Sequence, residues 1–295
     1  MPLPELLDEL FRLYRRNFGI IVTIALIVVV PGLIWTLVTG TYLLTTSTFS
    51  RFLTSGGTAT PSEIDFSNRD FTNLLGLVGL GLVGALFLVP FTLGAIYRAI
   101  TDIVLGRPVS IAAVFRATLA RYFPLWGLIG VVILVLIGCS VLLALLAVIT
   151  PILAVIALVA AIPATIYFAI RFSPFWLTVA AMMAEDIGPI QGLGRSWNLV
   201  EGMWWRVFGI AVVLYLLQAI IGGGLGLLYR GIVAVLLTGG IRLAVDTIGS
   251  TLLDAVVSPI GPLGAVLLYF DLRVRKEGLD LDQLAQQTSP GPATA

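Results

Sequence analysis

Between Tyr122 and Ile170 the chain runs for 49 residues without a charged side chain. As one helix this segment would extend about 73 Å at 1.5 Å per residue, more than twice the ~30 Å hydrocarbon core of a bilayer. We therefore expect it to enter a membrane and fold back on itself. Thr150-Pro151 is the predicted turn, with spans at about 122–149 and 152–174 on its two sides.

Four further apolar stretches are long enough to cross a bilayer, which needs about 20 mostly apolar residues. They cover about 18–42, 74–97, 207–229 and 248–270, the last with Asp254 inside it. The sequence therefore predicts an all-α fold, a polytopic membrane helical bundle with six transmembrane helices.

Residues 231–250 are the difficult segment, because they are apolar but contain Gly239-Gly240, Arg242 and Asp246. They fit a re-entrant segment, an interfacial segment or an extension of the sixth helix. A seventh span is the rival interpretation.

Composition agrees with lipid as the solvent. The chain carries 17 basic and 16 acidic residues, where a soluble protein of this length would carry roughly 74 in total. Histidine is absent and Cys139 is the only cysteine, which excludes His-ligated metal sites, His-dependent catalysis and an internal disulfide. We predict no enzyme, no catalytic residue and no cofactor, and the net charge of +1 gives no sign of a nucleic-acid partner.

Basic residues divide unevenly between the two sides of a six-span chain. Four fall on the outer side, Arg51, Arg69, Arg230 and Arg242, and thirteen share the side of the two termini. Positive residues stay in the cytoplasm, so we expect both termini to be cytoplasmic in the plasma membrane of a prokaryote. This asymmetry argues against a seventh span, and anionic lipid headgroups are the expected partners of the basic face.

The chain has no room for a separate soluble domain. We predict one integral membrane domain over 1–287, an outside loop at 46–73 rich in Ser, Thr and Gly, and a disordered tail at 288–295. The first apolar stretch is long and lacks a small-residue cleavage site, so we expect an anchor rather than a cleaved signal.

Three predicted cytoplasmic helices are amphipathic, and each leads into an odd-numbered span. The first covers Leu3 to Arg16, the second follows Ser110 as N-cap, and the third follows Asp186 as N-cap and covers about 187–205. The apolar face of the third would carry Ile190, Leu193, Trp197, Val200 and Trp204. One interpretation is a threefold repeat of an interfacial helix followed by a helical hairpin; the other is that any helix entering a membrane at a shallow angle has this pattern.

A few charged residues lie in or beside the predicted spans. Arg171 ends the fourth span, where it can reach lipid phosphates or act as a buried anchor paired with a carboxylate or a headgroup. Arg242, Asp246 and Asp254 form a candidate intramembrane polar site, the rival being that Asp254 is wetted at the outer interface. Glu185 precedes a predicted helix start, where capping is the expected role.

The stretch from Arg171 to Ile210, "RFSPFWLTVAAMMAEDIGPIQGLGRSWNLVEGMWWRVFGI", resembles the membrane domain of some glycerophosphoryl diester phosphodiesterases and of related stand-alone proteins. The matching positions are Arg171, Pro174, Glu185, Arg195, Ser196, Trp197, Leu199, Gly202, Trp205 and Arg206. The tail from Leu267 to Gln286 is also similar. The resemblance implies a polytopic bundle; the catalytic barrel of those enzymes uses His around a metal, and this chain has neither His nor room for a barrel.

Two functions follow as expectations. The first is a non-enzymatic scaffold, accessory subunit or lipid-associated regulatory domain, with Arg195, Arg206, Trp197 and Trp205 as candidate headgroup contacts. The alternative is a transporter or permease for a lipid or small amphiphile, using the polar site at Arg242, Asp246 and Asp254. A protein partner or a homo-oligomer is compatible with both.

Overall fold

The structure, a computed structural model, describes residues 2–40, 68–149 and 174–278. All regular secondary structure in these ranges is α-helical, which confirms the predicted class. The helices are α1 (Leu3–Arg16), α2 (Phe18–Thr39), α3 (Asn68–Val104), α4 (Ile111–Ala120), α5 (Tyr122–Ile149), α6 (Pro174–Glu185), α7 (Pro189–Val200), α8 (Trp204–Leu236), α9 (Gly239–Val257) and α10 (Ile260–Glu277).

Within the described ranges, four helical stretches are long and apolar enough to cross a membrane, which supports a membrane-embedded protein. They are Phe18–Thr39, Leu75–Val104, Trp204–Leu236 and Ile241–Glu277, the last formed by α9 and α10 together. Helix α5 has the bounds predicted for the third span. Most of the predicted outer loop, the fourth span up to residue 173, Arg171 and the tail at 288–295 lie outside the described residues.

Residues 231–250 divide between two helices. Helix α8 continues to Leu236, and α9 begins at Gly239 after a two-residue turn. Gly239 has a φ of 68°, a left-handed conformation that glycine adopts without a steric penalty. The segment is thus the tip of a helical hairpin, and the helix predicted to start near Ile248 starts nine residues earlier.

Helix α10 lies at the centre of the described bundle, where it contacts α1, α3, α6, α7 and α8. Its side chains Leu263, Val266, Leu268, Tyr269 and Leu272 are all buried. Burial of apolar side chains on several sides puts this helix in the main core. The charged residues that follow this buried stretch, at the end of α10, lie close to the neighbouring helices α6, α7 and α8. A second, smaller cluster joins α2, α3 and α4 around Ile24, Ala95 and Val114.

The apolar face of helix α1 packs against other helices of the protein. Leu6 and Leu10 are fully buried in the main core, and the Tyr14 hydroxyl donates to the backbone carbonyl of Val256 in α9. Burial raises the pKa of Tyr14 above its usual value, so the hydroxyl keeps its proton as a donor. The polar face of α1, which carries three arginines, is exposed.

Three short helices each precede a long helix, in the pairs α1–α2, α4–α5 and α7–α8, and we call the residue directly before each long helix its junction residue. At α1–α2 and α4–α5 the junction residue alone separates the two helices, whereas Glu201 and Gly202 also intervene at α7–α8, with a φ of 81° at Gly202. The junction residues have φ/ψ values of −112°/19°, −103°/7° and −125°/21° at Asn17, Arg121 and Met203. Each junction carbonyl accepts the N–H four residues on, at 3.0–3.1 Å. An aromatic residue begins each long helix, and the residues four and seven positions after the junction are buried: Ile21, Ile24, Leu125, Leu128, Val207 and Ile210.

Candidate functional site

Arg195 of α7 lies between two carboxylates from other helices. Its Nε donates to both carboxylate oxygens of Glu185 at 3.0 Å, and its Nη2 donates to Oε2 of Glu277 at 2.7 Å. Hydrogen bonding to Glu277, followed by that to Glu185, raises the pKa of Arg195 although burial opposes the change. The guanidinium thus stays charged and joins α6, α7 and α10.

Two further residues of α10 close this cluster. Arg273 lies 3.4 Å from Glu185 (Nη1–Oε1) and 3.2 Å from Glu277 (Nε–Oε2), and the Tyr269 hydroxyl donates to Glu185. The Arg273 guanidinium is also 5.9 Å from the centre of the Tyr269 ring, within the range of a cation–π contact. Two cations face two anions, so the cluster is internally neutral. We call these five residues, Glu185, Arg195, Tyr269, Arg273 and Glu277, the ionic cluster.

Glu185 differs from its expected capping role. It is the last residue of α6, and the N-cap of α7 is Gly188 rather than Asp186. Asp186 instead has a φ of 55°, a left-handed conformation that Asp tolerates better than most residues. The turn directs Glu185 back towards Arg195, a contact that the local sequence pattern does not reveal.

Arg206 takes part in a second ion-pair group at the same end of the bundle. Its Nη2 donates to Oδ2 of Asp271 at 2.8 Å, and Arg275 Nε reaches the same oxygen at 3.1 Å. Asp271 is buried, with 6% of its side chain exposed. A carboxylate this buried needs charged partners, so Arg206 holds the start of α8 on α10.

A third group joins α3, the α4–α5 junction and the turn after α6. Arg121 donates to the backbone carbonyl of Ile187 at 3.1 Å and to that of Asp186. Arg98 lies 3.3 Å from Asp102 and 3.5 Å from Asp186. Arg98 and Arg121, two of the basic residues that the sequence assigned to one side, thus both contact the turn after α6.

Helices α6 and α7 meet through small and polar side chains. Ser196 is fully buried, and its hydroxyl lies 2.9 Å from that of Thr178. The buried face of α7 is Gly192, Ser196, Leu199 and Val200, whereas Ile190, expected on the apolar face, is 79% exposed. The structure therefore places Ser196 between two helices.

The tryptophans of the matching stretch have different surroundings. Trp197 and Trp204 are partly buried and meet edge to face, with ring centres 4.9 Å apart. Trp205 is 72% exposed and contacts Phe208 with ring centres 6.4 Å apart. An exposed indole at the start of a candidate span fits the interfacial position that tryptophan prefers.

Arg242, Asp246 and Asp254, the residues of the predicted intramembrane site, do not form one cluster in the structure. Asp246 faces Arg230 across the α8–α9 hairpin, with Nε and Oδ1 3.5 Å apart, and Arg242 and Asp254 are both exposed. Arg230 was not selected from the sequence as a partner, because the pairing depends on where the hairpin turns.

Sequence reasoning also missed Tyr269, Arg273 and Glu277. Their i, i+4, i+8 spacing puts them on one face of a helix, which is a usable signal, but their partners on α6 and α7 lie more than 70 positions away in the chain.

Among the described residues, no group of three His, Cys, Asp or Glu side chains could hold a metal ion. No family model, curated protein or solved structure matches the chain. Inferences about function therefore depend on the charged end of the bundle.

Proposed function

We propose that this chain is a non-enzymatic membrane protein that serves as a scaffold or lipid-associated regulatory domain. The observation that carries the proposal is the ionic cluster, in which all four charges are matched within the protein. A general acid or base needs an available carboxylate, whereas Glu185 and Glu277 are each held by two arginines. The cluster suits a rigid end of the bundle better than a reaction centre.

The proposed topology has six spans with both termini in the cytoplasm of a prokaryotic cell. It takes the four apolar stretches noted above and adds α5 and residues 152–174. The collection of arginines at one end of the bundle supports this orientation, because basic residues are retained on the cytoplasmic side. That face would then lie next to anionic headgroups.

We also propose that the chain consists of three units, α1–α2–α3, α4–α5–α6 and α7–α8–α9–α10, with residues 150–173 belonging to the second. The support is the shared start of the three long helices, with the same φ/ψ region at Asn17, Arg121 and Met203, an aromatic first residue and the same buried positions. A shallow entry into the membrane explains the amphipathic helices but does not require this shared start.

Membership of the phosphodiesterase membrane-domain family remains a proposal. Its support is that the matching residues Glu185, Arg195, Ser196 and Arg206 each make a polar contact between helices. A motif of residues that hold the fold together can persist without a catalytic barrel.

The first test is hydrolysis. Purified protein, with and without divalent metal ions, should release no alcohol from glycerophosphodiesters, and Glu185→Gln should leave that background unchanged. Hydrolysis that follows the wild-type protein through purification and is lost in Glu185→Gln would contradict the proposal.

The second test is lipid preference. The unfolding temperature in nanodiscs should be higher with phosphatidylglycerol than with phosphatidylcholine alone, because a ligand that binds only the folded state stabilises it. Equal unfolding temperatures in both would remove the lipid-associated role.

A further inference from the structure

A groove of about 470 Å³ opens between the α1–α2 junction and the end of α3. Arg16 and Arg107 supply its charge, and Leu13, Ile20 and Ile103 form its apolar side. We call it the junction groove. Its volume lies within the range of ligand pockets. One candidate span begins beside it and another ends there, so it opens where headgroups meet acyl chains.

The way α3 ends fixes the position of Arg107. Gly106 has a φ of 67°, its N–H donates to Ile103 at 3.0 Å, and the Arg107 N–H donates to Asp102 at 2.8 Å. These two bonds form a Schellman motif, and Pro108 follows, which cannot continue the helix. The backbone therefore holds Arg107 on the groove that Arg16 also lines.

The protein leaves the charge of this groove largely unneutralised. In the described ranges Arg16 makes no ion pair, and the pair of Arg107 is loose, with 3.9 Å between its Nη1 and Oδ1 of Asp102. Asp102 is shared with Arg98, which lies closer at 3.3 Å. The groove thus combines a net positive end with an apolar wall.

In the second and third units, polar contacts join the short helix or its junction to the end of the returning helix. At the α4–α5 junction, Arg121 bonds to the backbone carbonyls of Asp186 and Ile187, directly after α6. In the third unit, Lys276 near the end of α10 donates to the Asn198 carbonyl at 2.5 Å. At the first junction, the short helix α1 and the end of the returning helix α3 line the junction groove instead.

We propose that the junction groove binds the headgroup of an anionic phospholipid. The phosphate lies between Arg16 and Arg107, and the first part of an acyl chain follows Ile20 and Ile103. A choline headgroup adds a cation that two arginines disfavour, so the groove selects phosphatidylglycerol over phosphatidylcholine. The inference rests on the proposed lipid-associated function and names the site that carries it.

The test measures lipid binding to the full chain by native mass spectrometry in detergent, with phosphatidylglycerol and phosphatidylcholine as probes. The double variant Arg16→Gln/Arg107→Gln should bind phosphatidylglycerol about 30-fold more weakly, from the usual contribution of two basic residues near an anionic surface. Arg116→Gln is the matched control, because Arg116 is exposed on α4 and outside the groove, and its affinity should stay at the wild-type level. Unfolding temperatures show whether each variant folds; if the double variant does not, each single variant should weaken binding about fivefold.

Each contrary result has its own meaning. Unchanged affinity in the double and single variants overturns the junction groove but leaves a lipid-associated function intact. A wild-type protein without preference for phosphatidylglycerol overturns both. Displacement of phosphatidylglycerol by millimolar inorganic phosphate identifies a free anion as the ligand and overturns the lipid assignment.

Discussion

Arg195 illustrates how one side chain at the charged end joins separate parts of the chain. Glu185 and Glu277 are 92 positions apart, yet both accept hydrogen bonds from its guanidinium. Their side chains are 19% and 28% exposed. Both are partly shielded from water, so two facing carboxylates depend on the arginines between them.

Replacing Arg195 by Gln should lower the free energy of unfolding by about 2 kcal/mol. The cost arises because Glu185 and Glu277 would share Arg273 alone and repel each other. Thermal or denaturant unfolding of the purified protein in detergent measures it.

Arg195→Gln/Glu277→Gln provides the control for that result. Removing both partners removes the unpaired carboxylate, so the double variant should lose less stability than the two single variants added together. Additive losses would show that Arg195 and Glu277 do not act on each other.

At the scale of elements, the contact between α6 and α7 depends on one close approach. A Cβ added to Gly192 would lie 2.7 Å from Cγ of Met182 and 3.4 Å from Cγ2 of Thr178. Gly194, two positions along the same helix, has no such neighbour within 4 Å. We therefore expect substitution by alanine to have opposite effects on stability at these two positions.

Gly192→Ala should destabilise the protein by about 1–3 kcal/mol, because the added methyl group pushes Met182 and the helices apart. Gly194→Ala should be neutral or stabilising by up to about 1 kcal/mol, since Ala is the better helix former. Unfolding midpoints of both variants check the prediction, and equal shifts in the same direction would contradict the packing of α6 on α7.

The same elements show what the sequence could and could not predict. The bounds 122–149 were predicted because the uncharged run begins directly after Arg121 and is too long for one span, and Thr150-Pro151 marks the expected turn within it. The buried face of α7 was predicted only in part: Val200 is buried as expected, but Gly192 and Ser196 were missed because they are not apolar and are buried against α6 for their small size. Pairings such as Arg195 with Glu277 are tertiary, and no local period encodes them.

At the scale of the whole molecule, the number of spans determines on which side of the membrane each turn lies relative to the charged end of the bundle. Ser110 and Glu201 are exposed in turns at that end, and Thr238 is exposed at the tip of the α8–α9 hairpin. Six spans put Thr150 on the same side as Thr238, whereas a chain in which 122–174 does not cross the membrane puts it with Ser110. Thr150 is therefore the position that distinguishes six spans from four.

We expect single cysteines at Thr150 and Thr238, in a Cys139→Ala background, to react with an impermeant maleimide in intact cells. Cysteines at Ser110 and Glu201 should react only after the membrane is made permeable, because basic residues hold that end in the cytoplasm. Denatured protein gives full labelling as the control for thiol access. Labelling at Thr238 without labelling at Thr150 would reduce the bundle to four spans, and labelling of Ser110 in intact cells would invert the orientation and place the junction groove on the outer leaflet.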